Sequence, residues 1–351
     1  VVETLIFLSS GLFLGWSLGA NDAANVFGTA VGSRMVRFTT AAVIASLAVI
    51  AGAVLQGAGS TTGLGKLGQI DALPGAFIVA LAAAVTVLGM TRARLPVSTS
   101  QAIVGAILGW NMFSHRDTDT TILSRVVTTW VAAPVLGAIF AASLQVGIKV
   151  WLRIFKPHML RLDQYTRWAL ILAGAFGAFS LGANNIGNVM GVFVPSAPFD
   201  ASVIRGLTVT AEQKLFLIGG VAISVGIFTY SRRVMETIGA DLLPVSPIGA
   251  FTVVVAQGLV LMVFSSRELS AWCVDHGLPA IPLIPVSSSQ AVVGAVVGLG
   301  LLKGSAGLRQ LRWRFLGGIA LGWVTTPLIA MMLSFVALYV LQNVFGQEVH
   351  L

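Results

Sequence analysis

Charge is what this chain has least of. Asp, Glu, Lys and Arg together make up 10% of its 351 residues, against about 25% in soluble globular proteins. That scarcity excludes a soluble domain of this size. With a hydrophobic share of 56% and a mean hydropathy of +0.91, it leaves a polytopic membrane protein. Acidic residues are fewer than basic ones, 13 against 21, for a net charge of +8. The excess does not point to nucleic acid, because the basic residues fall in short runs between apolar spans, as in the cytoplasmic loops of membrane proteins. Cys273 is the sole cysteine, which excludes an intramolecular disulfide and a cysteine-rich metal site. His115, His158, His276 and His350 all fall in expected loops or near the terminus, out of reach of a proton relay through the membrane. No cleavable signal peptide is expected, since the first apolar stretch lacks a basic start.

Crossing a bilayer takes about 20 apolar residues. Such runs are expected at 4–33, 38–57, 75–92, 96–113 and 125–152, and again at 166–195, 212–231, 247–265, 285–303 and 314–343. Basic clusters at Arg34/Arg37, Arg92/Arg94, Lys149–Arg167, Arg232/Arg233 and Lys303–Arg314 alternate with near-neutral loops at 58–74, 114–124, 196–211 and 266–284. The alternation implies a multi-pass protein of the cell membrane with five crossings in each half and both termini outside. The expected organisation is a first repeat at 1–152, a basic cytoplasmic linker at 153–165 and a second repeat at 166–351.

Repetition is what the chain has in abundance. Gly19–Gly32 (GANDAANVFGTAVG) recurs as Gly182–Pro195 (GANNIGNVMGVFVP), and Pro96–Gly109 (PVSTSQAIVGAILG) recurs as Pro285–Gly298 (PVSSSQAVVGAVVG). Trp130-Val-Ala-Ala-Pro134 is echoed by Trp323-Val-Thr-Thr-Pro327, and extra residues around 232–284 stretch the second copy. An odd number of crossings per half makes the second copy enter the membrane from the opposite side, so the repeats are inverted. Polar side chains in lipid-spanning segments are costly, and the same costly clusters found twice suggest one site built where the repeats meet. The long runs at 4–33 and 166–195 are interrupted by Gly-Ala-Asn, and the Pro-Val-Ser segments begin with a residue suited to the first turn of a helix. Broken or re-entrant helices are therefore expected at both. The expected fold is an all-α polytopic membrane protein of two inverted-topology repeats, with about 10–12 transmembrane helices.

The paired Gly-Ala-Asn and Pro-Val-Ser signatures resemble those of the inorganic phosphate transporter (PiT) family, in family order and across nearly the whole chain. The resemblance implies an inverted-repeat helical core that moves inorganic phosphate together with Na⁺ or H⁺. Only a short linker separates the halves, so the chain resembles a compact prokaryotic member rather than the eukaryotic ones with a long hydrophilic central loop.

The Pro-Val-Ser motifs read as an anion site. Ser98, Thr99, Ser100 and Gln101, with Ser287, Ser288, Ser289 and Gln290 from the other copy, offer hydroxyls, amides and the free N–H groups of two helix starts. No basic residue lies in either motif, which suits a carrier that must release its anion. The blander reading is that these hydroxyls cap helices or join them. The Gly-Ala-Asn motifs read as the cation part. Asp22 is the carboxylate of an apolar span, with Asn185 as its counterpart and Asn21, Asn25, Asn184 and Asn188 around them. Helical spacing puts Asp22 with Asn25, and Asn185 with Asn188, on one face. These four are the expected Na⁺ ligands, helped by carbonyls freed at the glycines. Asp22 would repel a phosphate unless Na⁺ bridges the two or a protonated phosphate oxygen donates to the carboxylate. The second arrangement discriminates against sulfate.

The favoured function is a secondary transporter importing phosphate with Na⁺ by alternating access, with no cofactor beyond the coupling ion. An H⁺-coupled phosphate permease or a sulfate permease fits the same donors. An anion channel would carry rings of basic residues, which these motifs lack, and a transporter-like sensor differs only in flux. An enzyme is not expected, as no nucleophile–base pair is present. The expected partners are phosphate, Na⁺, the lipid bilayer and a second copy in a symmetric homodimer.

Overall fold

The structure, a computed structural model, describes residues 2–93, 97–204, 207–235, 246–310 and 313–350. The expectations placed on Arg94, Pro96 and Arg312 lie outside the described residues. The first half contains α1 (Val2–Gly32), α2 (Phe38–Gly68), α3 (Leu73–Arg92), α4 (Thr99–Phe113) and α5 (Thr120–Phe155). The second contains α6 (Met159–Met190), α7 (Ala211–Thr229), α8 (Pro247–Val263), α9 (Arg267–Asp275), α10 (Ser288–Leu302), α11 (Gly304–Gln310) and α12 (Trp313–Asn343). A small antiparallel hairpin, β1 (Ser202–Ile204) and β2 (Leu207–Val209), lies in the loop between α6 and α7, with Ser202 opposite Val209. The basic stretch expected as a linker is largely helical, so that Lys156, Pro157 and His158 alone connect α5 to α6.

Each of the ten expected apolar runs contains a helix. Among the described residues seven are long and apolar enough to cross a membrane: α1, α2, α3, α5, α6, α7 and α12. Helices α8 and α9 form a pair bent by 67° that brings the number to eight if it is one broken span. The expected 10–12 spans therefore resolve into seven or eight full ones, because α4 and α10 are only 15 residues each. At 1.5 Å per residue such a helix covers about 22 Å, less than the roughly 30 Å of the hydrocarbon core.

Both short helices begin after a buried extended segment. Ser98 caps α4 by accepting a hydrogen bond from the N–H of Gln101, and Ser287 caps α10 by accepting from Gln290. Pro285 sits ahead of the helix rather than in its first turn, because Ser287 takes the capping position. The expected interruption at Gly-Ala-Asn is also corrected, since α1 and α6 run unbroken through Gly19-Ala20-Asn21 and Gly182-Ala183-Asn184.

The reason is packing. A methyl group on Gly19 would overlap the carbonyl of Ile223 on α7, and one on Gly226 would overlap that of Trp16 on α1. The counterparts behave alike: Gly182 meets the Val49 carbonyl on α2, and Gly52 meets that of Phe179 on α6. These glycines let backbones touch, the use that small residues have between membrane helices. The short helices dock in the same reciprocal manner. Gly105 of α4 lies under Pro327 of α12, and Gly294 of α10 lies under Pro134 of α5. The Trp-to-Pro echo thus marks where each short helix rests on the other half.

The rest of the packing keeps this symmetry. Helix α3 packs on α1, α4 and α12, while α8 packs on α6, α10 and α5. A further echo, Gly75-Ala76-Phe77 in α3 and Gly249-Ala250-Phe251 in α8, runs through this pair. Helices α5 and α12 form the outside, with 17% and 22% of their apolar spans buried against 61% and 67% for α3 and α6. Their exposed faces, including Val131, Val135, Ile139, Leu328, Met332 and Val336, are apolar and suit lipid.

Candidate functional site

The start of α10 meets α1. Ser288 Oγ donates to Asp22 Oδ2 at 2.8 Å and accepts from Asn25 Nδ2 at 3.2 Å. Asn21 Nδ2 donates to the other carboxylate oxygen, Oδ1, at 2.8 Å. Asp22 is 3% exposed, a depth at which a carboxylate is a functional group by default. The start of α4 meets α6 in the mirrored arrangement. Asn188 Nδ2 donates to Ser100 Oγ at 2.8 Å and to Asn185 Oδ1 at 2.9 Å.

The two Pro-Val-Ser segments also touch, since Ser100 Oγ donates to the Val286 carbonyl at 3.2 Å. Val286 N–H in turn donates to Asn184 Oδ1 at 3.0 Å. The four motif copies thus form two hydrogen-bonded clusters that meet through the short stretch Val286–Ser288.

The structure divides the expected residues by what they do there. Asp22 and Asn25 form one group with Ser288, and Asn185 and Asn188 form another with Ser100. Asn184 stands apart from both, because its amide also donates to Ser265 Oγ and the Leu261 carbonyl; it braces the extended segment against α6 and α8. Ser98 and Ser287 are caps. Ser289, half-buried, shares a 2.9 Å hydrogen bond with Ser287. The amides of Gln101 and Gln290, Thr99 Oγ1, Asn185 Nδ2 and Asn188 Oδ1 are buried without a hydrogen-bond partner among the described residues. Each such group costs about 1–3 kcal/mol unless something polar meets it. They fall on three of the four motif copies, all but Gly19–Gly32. Gln257 on α8, likewise buried with both amide atoms unpartnered among the described residues, is a residue that sequence reasoning missed. Its signal was a single amide inside the apolar run Phe251–Val263.

Among the described residues no three of His, Cys, Asp and Glu come together, so the chemistry available is that of one carboxylate, amides and hydroxyls. That set suits a weakly held monovalent cation rather than a tightly bound divalent metal. The groove along Phe140, Leu144, Ile148 and Trp151 lies on the outer helix α5, is apolar, and shares no residue with the two clusters.

The sequence profile of the phosphate transporter family matches residues 18–334 and 279–349. The chain belongs to that family. Its members are transporters rather than enzymes. A "Putative phosphate permease" of Methanocaldococcus jannaschii is 27% identical over 92% of this chain and 93% of its own length. The sulfate permease CysP of Bacillus subtilis is also 27% identical, over 92% of this chain and 84% of its own. The fold matches the solved structure of a sodium-dependent phosphate transporter with a TM-score of 0.75 at 22% identity, covering 97% of this chain and 99% of that one. As a phosphate transporter family member the chain is a multi-pass membrane protein, and its duplicated motifs are the parts that the fold brings to the centre.

Proposed function

We propose that this protein imports inorganic phosphate together with Na⁺ by alternating access, with both ligands held where the two inverted repeats meet. The observation that carries the reading is the bond from Ser288 to Asp22, which ties the anion motif of one half to the cation motif of the other. Phosphate is met by the N-terminal turns of α4 and α10 with the amides of Gln101 and Gln290 and the hydroxyl of Thr99, donors aided by the positive ends of the helix dipoles. Na⁺ takes oxygens from Asp22 and Asn25, and Asn185 and Asn188 serve the mirrored position. The repeats are those at 1–152 and 166–351.

Coupling follows from charge. Asp22 repels an anion unless a cation lies between them, so bound Na⁺ raises phosphate affinity and phosphate raises Na⁺ affinity by the same factor. A protonated phosphate oxygen facing the carboxylate adds a hydrogen bond that sulfate lacks. Overall identity does not separate the two oxyanions, since the phosphate and sulfate relatives are equally similar. The Asp22 environment is what favours phosphate. Calorimetric titration of purified protein tests this: phosphate should bind in Na⁺ buffer and weaken at least tenfold in K⁺ buffer. Equal binding in both, or tighter binding of sulfate, contradicts the proposal.

Both termini are proposed to lie outside. Val349 is buried against Gly75 and Trp110. Arg116 lies over Trp110 and pairs with Asp71. The C-terminal tail therefore shares one end of the molecule with two near-neutral loops. At another junction Arg232, just past the end of α7, lies over Phe38, which follows Arg37. That places two basic clusters together, as a cytoplasmic face requires.

A further inference from the structure

We infer that Gln257 is a ligand-binding residue of the central site, its amide oxygen completing the shell of the cation held by Asp22 and Asn25. The inference rests on the transport reading above and adds a residue to it that neither duplicated motif contains.

Gln257 is 0% exposed and neither of its amide atoms has a hydrogen-bond partner among the described residues. Other polar side chains along this part of the chain are satisfied. Thr252 bonds Gln145 and the Ile248 carbonyl, and Ser265 bonds Asn184 and the Leu261 carbonyl. An amide left open in an apolar span of a membrane protein needs a use.

Its neighbours along α8 show which way it faces. Val254, three residues before, packs at Gly177 of α6 beside Val26 of α1. Leu261, four residues after, offers its carbonyl to Asn184. Residues at these spacings share a helix face, so Gln257 lies on the face of α8 that turns to α6 and α1, between the levels of Gly177 and Asn184. Helix α8 also packs on α10, whose first turn carries Ser288. Asp22, Asn25 and Ser288 belong to these two neighbours, α1 and α10.

The repeat supplies the contrast. Aligning Gly75-Ala76-Phe77 with Gly249-Ala250-Phe251 puts Ala83 opposite Gln257, and Ala83 is equally buried. Packing at this point of the fold is thus satisfied by a methyl group. The amide appears on α8, which packs on α10 and also touches α1, the two helices that carry Ser288 and Asp22. The mirrored positions carry Ala83 on α3 in place of Gln257 and Asn185 on α6 in place of Asp22. Both departures from symmetry concentrate oxygen ligands on one side, as one well-formed Na⁺ seat requires.

The test uses full-length protein in proteoliposomes, reading phosphate uptake against Na⁺ concentration for wild type, Gln257→Ala and Gln257→Met. The methionine variant keeps the volume and removes the oxygen, and so stands in if the alanine variant fails to fold. Either variant should raise the half-saturating Na⁺ concentration about fivefold, while maximal rate and the phosphate KM at saturating Na⁺ stay near wild type. A folded variant with an unchanged Na⁺ curve, or with only a lower maximal rate, overturns the inference and leaves the transport reading standing. A wild type that shows no Na⁺-stimulated uptake overturns both.

Discussion

Ser288 donates a 2.8 Å hydrogen bond to Asp22 across 266 residues of sequence. The bond joins the first turn of a half-length helix to the carboxylate of a full-length one, and in the other half the start of α4 likewise meets α6, through the bond from Asn188 to Ser100. An anion drawn to the start of α10 therefore arrives beside a negative charge, and a cation drawn to that charge arrives beside an anion seat. On the proposed function, neither ligand binds well without the other.

Asp22→Asn keeps an oxygen for Ser288 and removes the charge. Losing a charged hydrogen-bond acceptor costs roughly 1.5–3 kcal/mol, so uptake at limiting Na⁺ should fall about tenfold or more and lose its Na⁺ dependence. Sulfate should compete better in the variant than in wild type. Uptake assays across a Na⁺ series check both, and normal Na⁺-coupled uptake would refute the assignment of Asp22.

Asn185→Asp gives the second half the carboxylate that it lacks. The Na⁺ dependence of uptake should become steeper, with a Hill coefficient above that of wild type, and phosphate affinity at low Na⁺ should drop because an unneutralised charge now faces the α4 side. An unaltered Na⁺ curve would show that this half takes no part in cation binding.

The glycine seats predict stability rather than transport. Gly19→Ala puts a methyl group into the Ile223 carbonyl, an overpacking worth about 1–3 kcal/mol. It should lower the melting temperature of detergent-solubilised protein. Gly89→Ala, where nothing lies within 4 Å, should leave it unchanged or slightly raised. Equal melting temperatures for Gly19→Ala and wild type would contradict the close packing of α1 on α7.

Orientation is accessible to labelling because Cys273 is the sole cysteine. On a Cys273→Ser background, a membrane-impermeant maleimide should label Asp117→Cys in intact cells and Lys156→Cys only after permeabilisation. The opposite pattern would invert the proposed topology.

Much of this arrangement is legible in the sequence, because polar side chains stand out in apolar runs and repetition exposes those used twice. The paired motifs point to one site, and the structure places Asp22 and Asn25 with Ser288, and Asn188 with Ser100, in two clusters that meet through Val286–Ser288. The role of the glycines was not legible. A glycine that breaks a helix and one that seats another helix read alike when the partner, such as Ile223 for Gly19, lies far along the chain. Gln257 escaped for the converse reason: its counterpart is Ala83, so comparison of the halves passes over it. Asn184 looks equivalent to Asn21, yet the bend after α8 brings Ser265 to it and turns it into a brace.

The most direct test of the account is radiolabelled phosphate uptake by the purified protein in liposomes, under imposed Na⁺, K⁺ or proton gradients, with excess unlabelled sulfate as competitor. The account predicts uptake that requires the inward Na⁺ gradient and is insensitive to sulfate. Uptake driven equally well by protons alone, or abolished by sulfate, would contradict it.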